Sequence, residues 1–298
     1  MELCLAVDIG GTKLAAGLIG TDAQVLAEEV VPTPTVEDPE DLFAATASLV
    51  DRVAATDGSG RPVVCGVGCG GPMSLGGEEV SPLNIPAWRR FPLRRRLAEA
   101  CALPTFVDND AKALALGEGW AGAAVGRANF LAMVVSTGVG GGIVLDGRLL
   151  DGATGNAGHI GHVVVTPGGR RCACGGQGCL EAEASGTAIA AMTGRPPRLA
   201  GPDVAARSGT LVGRAVASVV NLLDLELVVV AGSVSLGFGS PFFAAAQAEL
   251  DALARLDFSV GTRIVPAGLG AAGPLVGAGA VGWRGLDRLP AFGAAAAS

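Results

Sequence analysis

LCLAVDIGGTKLAAGLIG, residues 3–20, is the stretch whose reading decides the fold. An apolar run reaches Asp8, the pair Gly10-Gly11 turns the chain, and a second apolar run returns, which is the pattern of a β-hairpin. FLAMVVSTGVGGGIVLDG, residues 130–147, repeats that plan: apolar run, Ser-Thr-Gly, further glycines, apolar run. Two such hairpins far apart form a weak internal repeat and predict two related lobes. Taken alone, each glycine run could be an ordinary hairpin turn. Together they suggest phosphate binding, because glycine lets backbone N–H groups approach phosphate oxygens. Thr12 adds a hydroxyl and Lys13 a cation, and Asp8 at the strand end suits Mg2+, held directly or through water. No G-x-x-x-x-G-K-[ST] occurs, and a strand rather than a helix follows each turn, so neither a P-loop nor a dinucleotide-binding turn fits.

The rest of the chain alternates. Residues 39–55 have helical spacing, 62–72 read as a buried strand entering a Gly-Pro turn, and 94–101 read as a helix. A short strand ends at Asp108, and a helix is expected over 111–122. Residues 210–224 form a long amphipathic helix, LELVVVAGSVS a strand into a glycine turn, and PLVGAGAVGWRGL a last helix. Alternation of this kind predicts an α/β protein. The expected division is a smaller N-terminal lobe over 1–108 and a larger lobe over 109–298, with the last helix a candidate to pack back on the first. LPAFGAAAAS, of low complexity, is expected to fray.

Composition narrows the partners. The net charge of −7 disfavours nucleic acid and acidic membrane surfaces, and the absence of tyrosine argues against a base-stacking platform. The cluster Arg89, Arg90, Arg94, Arg95 and Arg96 is either a solvated face or a docking patch, and the solvated face is the plainer reading. Glu2 and Asp8 interrupt the first apolar run, no basic segment precedes it, and later apolar runs have strand length. A cytoplasmic protein is expected. Seven cysteines then suggest thiols or metal ligands rather than disulfides, with Cys4, Cys65, Cys69 and Cys101 as small buried hydrophobes.

GHIGHVVVTPGGRRCACGGQGCLE, residues 158–181, holds both histidines and the other three cysteines. His162, Cys172, Cys174 and Cys179 make a Cys3His set, a common closed structural zinc site with no open position for catalysis. Unconnected reduced thiols are the alternative.

DIGGTK at 8–13, STGVGGG at 136–142 and AGS at 231–233 resemble the two phosphate segments and the adenosine segment of the actin-like ATPase superfamily. With DND at 108–110 and H-x9-C-x-C-x4-C-x-E from His162 to Glu181, the chain resembles the ROK family of repressors and sugar kinases over essentially its whole length. The resemblance implies a two-lobed, ribonuclease H-like α/β fold with a cleft between lobes. It implies an ATP-dependent kinase of a hexose or amino hexose, phosphorylating a hydroxyl, that on C6 by expectation. Asp8, Gly10, Gly11, Thr12, Lys13, Thr137, Gly138, Gly140 and Gly232 would hold ATP·Mg2+. Gly71, Asn109, His159, His162 and Glu181 would hold the sugar, and a structural Zn2+ would fix the loop carrying the last of these. By spacing alone Asp110 is a helix N-cap; the family pattern N-D-A makes it the catalytic base. A homo-oligomer, dimer or tetramer, is implied by the same analogy.

The chain departs from the family's glucose-phosphorylating pattern at Gly158-His159-Ile160-Gly161-His162, where His159 stands in place of a glutamate. A carboxylate accepts two hydroxyl hydrogen bonds, whereas a neutral imidazole accepts one and donates one. The accepted sugar is therefore open among glucose, N-acetylmannosamine and other modified hexoses. His159 could alternatively only support its neighbours. Residues 190–210 look short for the family, and Met73 follows the proline where a second glycine is common. A sugar-responsive repressor is disfavoured, since Asp8 leaves no room ahead of it for a helix-turn-helix. A sugar- or nucleotide-binding protein without activity is the remaining alternative.

Overall fold

The computed structural model describes residues 1–56 and 60–293. The run from Leu3 becomes β1 (Glu2–Ile9), hydrogen-bonded antiparallel to β2 (Lys13–Ile19), which pairs with β3 (Val25–Pro32). On its other side β1 lies parallel to β4 (Arg61–Cys69), and β4 parallel to β5 (Thr105–Asn109). β1 is apolar on both faces because both are covered. Leu3, Leu5, Val7 and Ile9 join the core that includes residues of α1 (Pro39–Ala54) and α2 (Leu93–Cys101). Cys4 and Ala6 join a second core that includes Leu275, Ala278 and Trp283 of α9 (Gly273–Gly285). All seven cysteines are free thiols; Cys4, Cys65 and Cys69 are buried as expected, whereas Cys101, at the end of α2, is only half-buried.

The second hairpin is β6 (Phe130–Val135) and β7 (Val139–Leu145), followed by the two-residue β8 (Arg148–Leu149). β9 (Leu227–Ala231) lies parallel to β6, and β10 (Arg263–Pro266) parallel to β9. The two sheets run β3-β2-β1-β4-β5 and β8-β7-β6-β9-β10, so hairpin, third strand and two parallel additions recur in the same order. The weak repeat read from two glycine turns is a repeat of topology. Helices α3 (Asp110–Ala121), α4 (Leu180–Ala184), α5 (Gly186–Thr193), α6 (Pro202–Leu223), α7 (Ser233–Phe238) and α8 (Ser240–Leu253) complete the chain. α6 starts eight residues before the expected 210, because Pro202 at its first turn is preset for a helix start.

Two compact units result. Among the described residues, the first comprises stretches of Met1–Gly122, Leu149–Ala157 and Leu269–Phe292, the second Ala123–Arg148, Gly158–Gly268 and Gly293. The division falls after Gly122 rather than Asp108, because α3 packs on α9 and β4 and stays with the first sheet. α9 belongs to the first unit as well. The part of the expected frayed tail beyond Gly293 lies outside the described residues. Among the described residues, no helix is long and apolar enough to cross a membrane.

The arginine cluster is a paired face. Arg90 bonds Glu79, Arg94 bonds Glu78, Arg96 bonds Glu40, and Arg95 lies 3.9 Å from Glu99. Arg96 also covers the Phe43 ring at 4.3 Å. Four of the five charges are thus neutralised locally, which favours the solvated face over a docking patch.

Candidate active site

Parallel strands bring their carboxyl ends to one edge, where ligands of α/β sheets bind. In the first unit Asp8, Gly68 and Asp108 are register partners across β1, β4 and β5, and Ile9, Cys69 and Asn109 form the next row. Beyond that row the chain turns at Gly10-Gly11, at Gly71-Pro72, and into α3. Gly68 lies between the Asp8 carboxylate and the start of α3: a Cβ there would stand 3.7 Å from Asp8 Oδ1 and 3.8 Å from the Asp110 Cα.

Asn109 is the residue that caps α3. Its Oδ1 accepts from the Ala111 N–H at 3.0 Å, and Asp110 Oδ1 accepts from the same group at 2.9 Å. Asp110 therefore opens the helix with its carboxylate at the positive end of the helix dipole and exposed. Asp108 is 9% exposed. Its Oδ1 meets Lys112 Nζ at 2.8 Å, and the same ammonium bonds Asp151 Oδ1 at 2.8 Å and the Gly155 carbonyl at 3.2 Å. Arg284 of α9 reaches Asp151 Oδ2 at 2.8 Å and Asp108 Oδ2 at 3.4 Å. Asp108 has a structural role, and the network pins the start of α3 to β5, α9 and residues 151–155. A buried, fully satisfied Lys112 escaped sequence reasoning, because a lysine in AKALALGE reads as a solvent-facing helix residue.

The first glycine turn closes through a Gly10 N–H bond to the Lys13 carbonyl (3.0 Å), with the Thr33 hydroxyl donating to the Gly10 carbonyl (2.7 Å). Gly10 thus spends its N–H inside the turn and contributes shape. Thr12 and Lys13 are exposed. Asn84, which the sequence did not single out, packs beside the turn: a Cβ on Gly11 would lie 2.8 Å from its carbonyl. Gly71, expected to approach the sugar through its backbone, accepts from the Leu83 N–H at 3.2 Å.

Asp8 is 8% exposed. Burial first, then the nearby Asp110 carboxylate, push its carboxyl up to about 7, against the pull of Lys13. The folded chain therefore binds this proton more tightly than the unfolded chain. The stability this confers is full below about pH 4 and is lost as pH rises through the folded value. Asp8→Asn is accordingly expected to stabilise the Mg2+-free protein at pH 8 by on the order of 2–4 kcal/mol, with the gain vanishing towards pH 4. Urea titrations of both proteins in chelator at the two pH values measure it. Equal stability at pH 8 would show that the buried carboxylate carries no such cost.

In the second unit the turn after β6 is held by Ser136 N–H to the Gly138 carbonyl (2.9 Å) and by the amides of Gly186 and Thr187, which donate to the Ser136 and Thr137 carbonyls at 2.7 and 3.3 Å. Gly232 ends β9 beside it, with φ +107 and a Cβ position 2.3 Å from the Val135 carbonyl, so no side chain fits. Gly140 lies within β7 opposite Val134. Gly158 and Gly161 seat the GHIGH turn directly on β7, at hypothetical Cβ distances of 2.2 Å from the Gly141 and Val139 carbonyls. Seating both glycines leaves His159 and His162 side by side, ring centroids 6.0 Å apart. Glu181 Oε2 accepts from the Val139 N–H at 2.9 Å, tying the first turn of α4 to the glycine turn.

His162, Cys172, Cys174 and Cys179 place one donor atom each within 4.8 Å of one another. His162 Nδ1 lies 3.6 Å from Cys172 Sγ, and the Cys174 and Cys179 sulfurs lie 3.8 Å apart. Those separations match the edges of a tetrahedron with about 2.0–2.1 Å Zn–N and 2.3 Å Zn–S bonds. The donor set fits a closed Zn2+ site, and it is the Nδ1 side of His162 that faces the thiols.

A match to the ROK family spans residues 4–282. The chain belongs to the ROK family. Among curated ROK relatives, the N-acetylmannosamine kinase of Escherichia fergusonii is 39% identical over 252 residues, covering 79% of this chain and 84% of that protein. The ROK hexokinase of Thermus thermophilus superposes with a TM-score of 0.81 at 34% identity, covering 96% of this chain and 99% of that one. A ROK glucokinase from Streptomyces griseus, solved with glucose and AMPPNP, gives 0.82 at 28% identity over 95% and 99%. The fold is that of these ROK kinases, the actin-like ATPase fold.

Proposed function

We propose that the protein is an ATP-dependent kinase of N-acetylmannosamine that phosphorylates the C6 hydroxyl, with Asp110 as general base. The observation that carries this reading is the position of Asp110. It opens α3 at the carboxyl end of β5, held by the Asn109 cap, with the buried Asp8 close by. Family membership and the 39% identity to an N-acetylmannosamine kinase support the substrate class.

In this mechanism Asp110 accepts the hydroxyl proton as the oxygen attacks the γ-phosphorus. Asn109, the Gly71 backbone, His159, His162 and Glu181 bind and orient the sugar. The phosphate contacts that the ROK motifs imply are the turn at Gly11–Thr12 with Lys13 in the first unit, and in the second unit the turn at Thr137–Gly138 with Gly140 and Gly232. Asp8 would hold a Mg2+ ion, which would supply neutralisation of phosphoryl charge when bound. A Zn2+ on the Cys3His set would fix the loop, leaving His162 Nε2 to face the sugar.

Glucose is the second reading, favoured by the superposition on a glucose-bound glucokinase. His159 is the discriminating residue. His159→Glu restores a carboxylate that accepts two hydroxyl hydrogen bonds, and is expected to move the kcat/KM ratio of N-acetylmannosamine to glucose at least tenfold towards glucose. ADP release over a panel of glucose, mannose, glucosamine, N-acetylglucosamine and N-acetylmannosamine measures it. An unchanged ratio removes His159 from sugar selection. Absence of turnover on every sugar would leave a binding protein.

A further inference from the structure

Glu183 is a second glutamate in CLEAEAS, and its chemistry is not that of Glu181. It is 3% exposed, and both carboxylate oxygens are used. Oε1 accepts the Arg170 N–H at 2.7 Å, and Oε2 accepts from Arg207 Nη2 of α6 at 2.8 Å. Arg207 Nη1 also donates to the Glu183 carbonyl at 2.9 Å. The backbone bond to Arg170 and the two interactions with Arg207 hold the carboxyl below its usual range, against the opposing effect of burial.

Arg170 is the root of the loop that carries two of the three metal-type thiols. Its carbonyl accepts the Gly178 N–H at 2.8 Å, Arg171 pairs with Gln177, and the Cys172 N–H bonds the Gly176 carbonyl at 2.9 Å. Inside that small hairpin the remaining anchors are one turn bond, Gly175 N–H to the Cys172 carbonyl at 3.0 Å, and a Gly176 N–H to Cys174 Sγ contact at 3.4 Å. A loop this short, lacking a helix and carrying five glycines at 168, 169, 175, 176 and 178, has high conformational entropy. An anchor at its root therefore decides how much ordering is left for the metal to do.

We infer that Glu183 and Arg207 form a latch that pre-organises the Cys3His site from outside its ligand set, so that metal affinity depends on a carboxylate that touches neither metal nor sugar. The inference rests on the zinc reading above. Glu183 is a positioning residue: it fixes Arg170 N–H, and through it the segment that presents Cys172 and Cys174. Partners of this kind govern metal affinity by about 10–100-fold.

The test is zinc competition against a chromophoric chelator, using the full chain. The parent is expected to bind one equivalent tightly. Glu183→Gln presents an amide N–H2 to either Arg170 N–H or Arg207, and is expected to weaken zinc binding about 10–100-fold. Arg207→Met, which leaves the Arg170 bond in place, is expected to weaken it less. The double variant is expected to cost less than the sum of the two, because one device is broken once. Thermal unfolding of the metal-free proteins runs in parallel. If Glu183 only stabilises the fold, the midpoint falls while zinc affinity, read where both proteins are folded, stays within about twofold of the parent; that result overturns the latch. Should Glu183→Gln not fold, Arg207→Met decides alone by the same criterion. A parent that binds no zinc overturns the metal reading and the latch with it, which separates the two failures.

Discussion

Asp110→Asn is expected to lower kcat for sugar-dependent ADP release by about 10²–10⁴, with the sugar KM moved only a few-fold. The substitution is nearly isosteric. An asparagine Oδ1 accepts the Ala111 N–H as the aspartate does, and the Asn109 cap is untouched, so α3 starts at the same residue. What is lost is the capacity to take a proton. Steady-state kinetics on the best sugar of the panel, with unfolding midpoints for both proteins, measure it. A large rise in KM at constant kcat would recast Asp110 as a sugar contact. Undiminished turnover would remove it as the base.

Lys112→Met is expected to destabilise the first unit by about 3–5 kcal/mol, the range for breaking a buried ion pair by removing one partner. Lys112 is 2% exposed and bonds Asp108, Asp151 and the Gly155 carbonyl. Methionine fills similar volume, so the loss is electrostatic rather than steric. It leaves Asp108 with Arg284 at 3.4 Å as its cationic partner. Lys112→Met/Asp108→Asn is expected to recover part of the loss, because the buried carboxylate left with only the 3.4 Å Arg284 contact is then gone. Denaturant midpoints of the parent and the two variants test the pair. A single substitution costing under about 1 kcal/mol would place this network with ordinary surface ion pairs.

The frame was legible wherever local chemistry dictated it. Apolar runs on either side of each glycine turn read as hairpins, and both are hairpins; the Cys3His spacing read as one ligand set, and its four donor atoms do come together. Asp8 stood out at the end of an apolar run before a glycine turn, whereas Asn109, Asp110 and Glu181 were singled out through the resemblance to the ROK motifs, since by spacing alone Asp110 is a helix N-cap. β3 was not legible. Its burial alternates, yet Leu26 and Val30 face solvent while Glu29 is half-buried beside Arg52, so the hydropathy pattern carries no period. Lys112, Glu183 and Asn84 escaped for another reason. Each owes its role to partners far along the chain or to a packing contact, and no spacing rule links Lys112 to Asp151 or Glu183 to Arg207. The unit boundary was missed on the same ground, since what assigns α3 and residues 149–157 to the first unit is long-range packing.

The first sheet and its covering helix are separated by most of the chain. β1, β2, β4 and β5 are made within the first 109 residues, yet the face formed by Cys4, Ala6 and Val64 is closed by α9, residues 273–285. The contact is backbone to backbone: Gly66 and Gly282 approach so closely that a Cβ on Gly66 would sit 2.1 Å from the Ala278 carbonyl. No side chain from elsewhere could substitute in a gap that small. During synthesis the ribosome therefore releases the strands of the first unit long before their cover, while β6, β7, β9 and their helices can collapse as they emerge. The half of the molecule begun first is the half finished last, and until α9 arrives its open apolar face is the surface that a chaperone would have to guard.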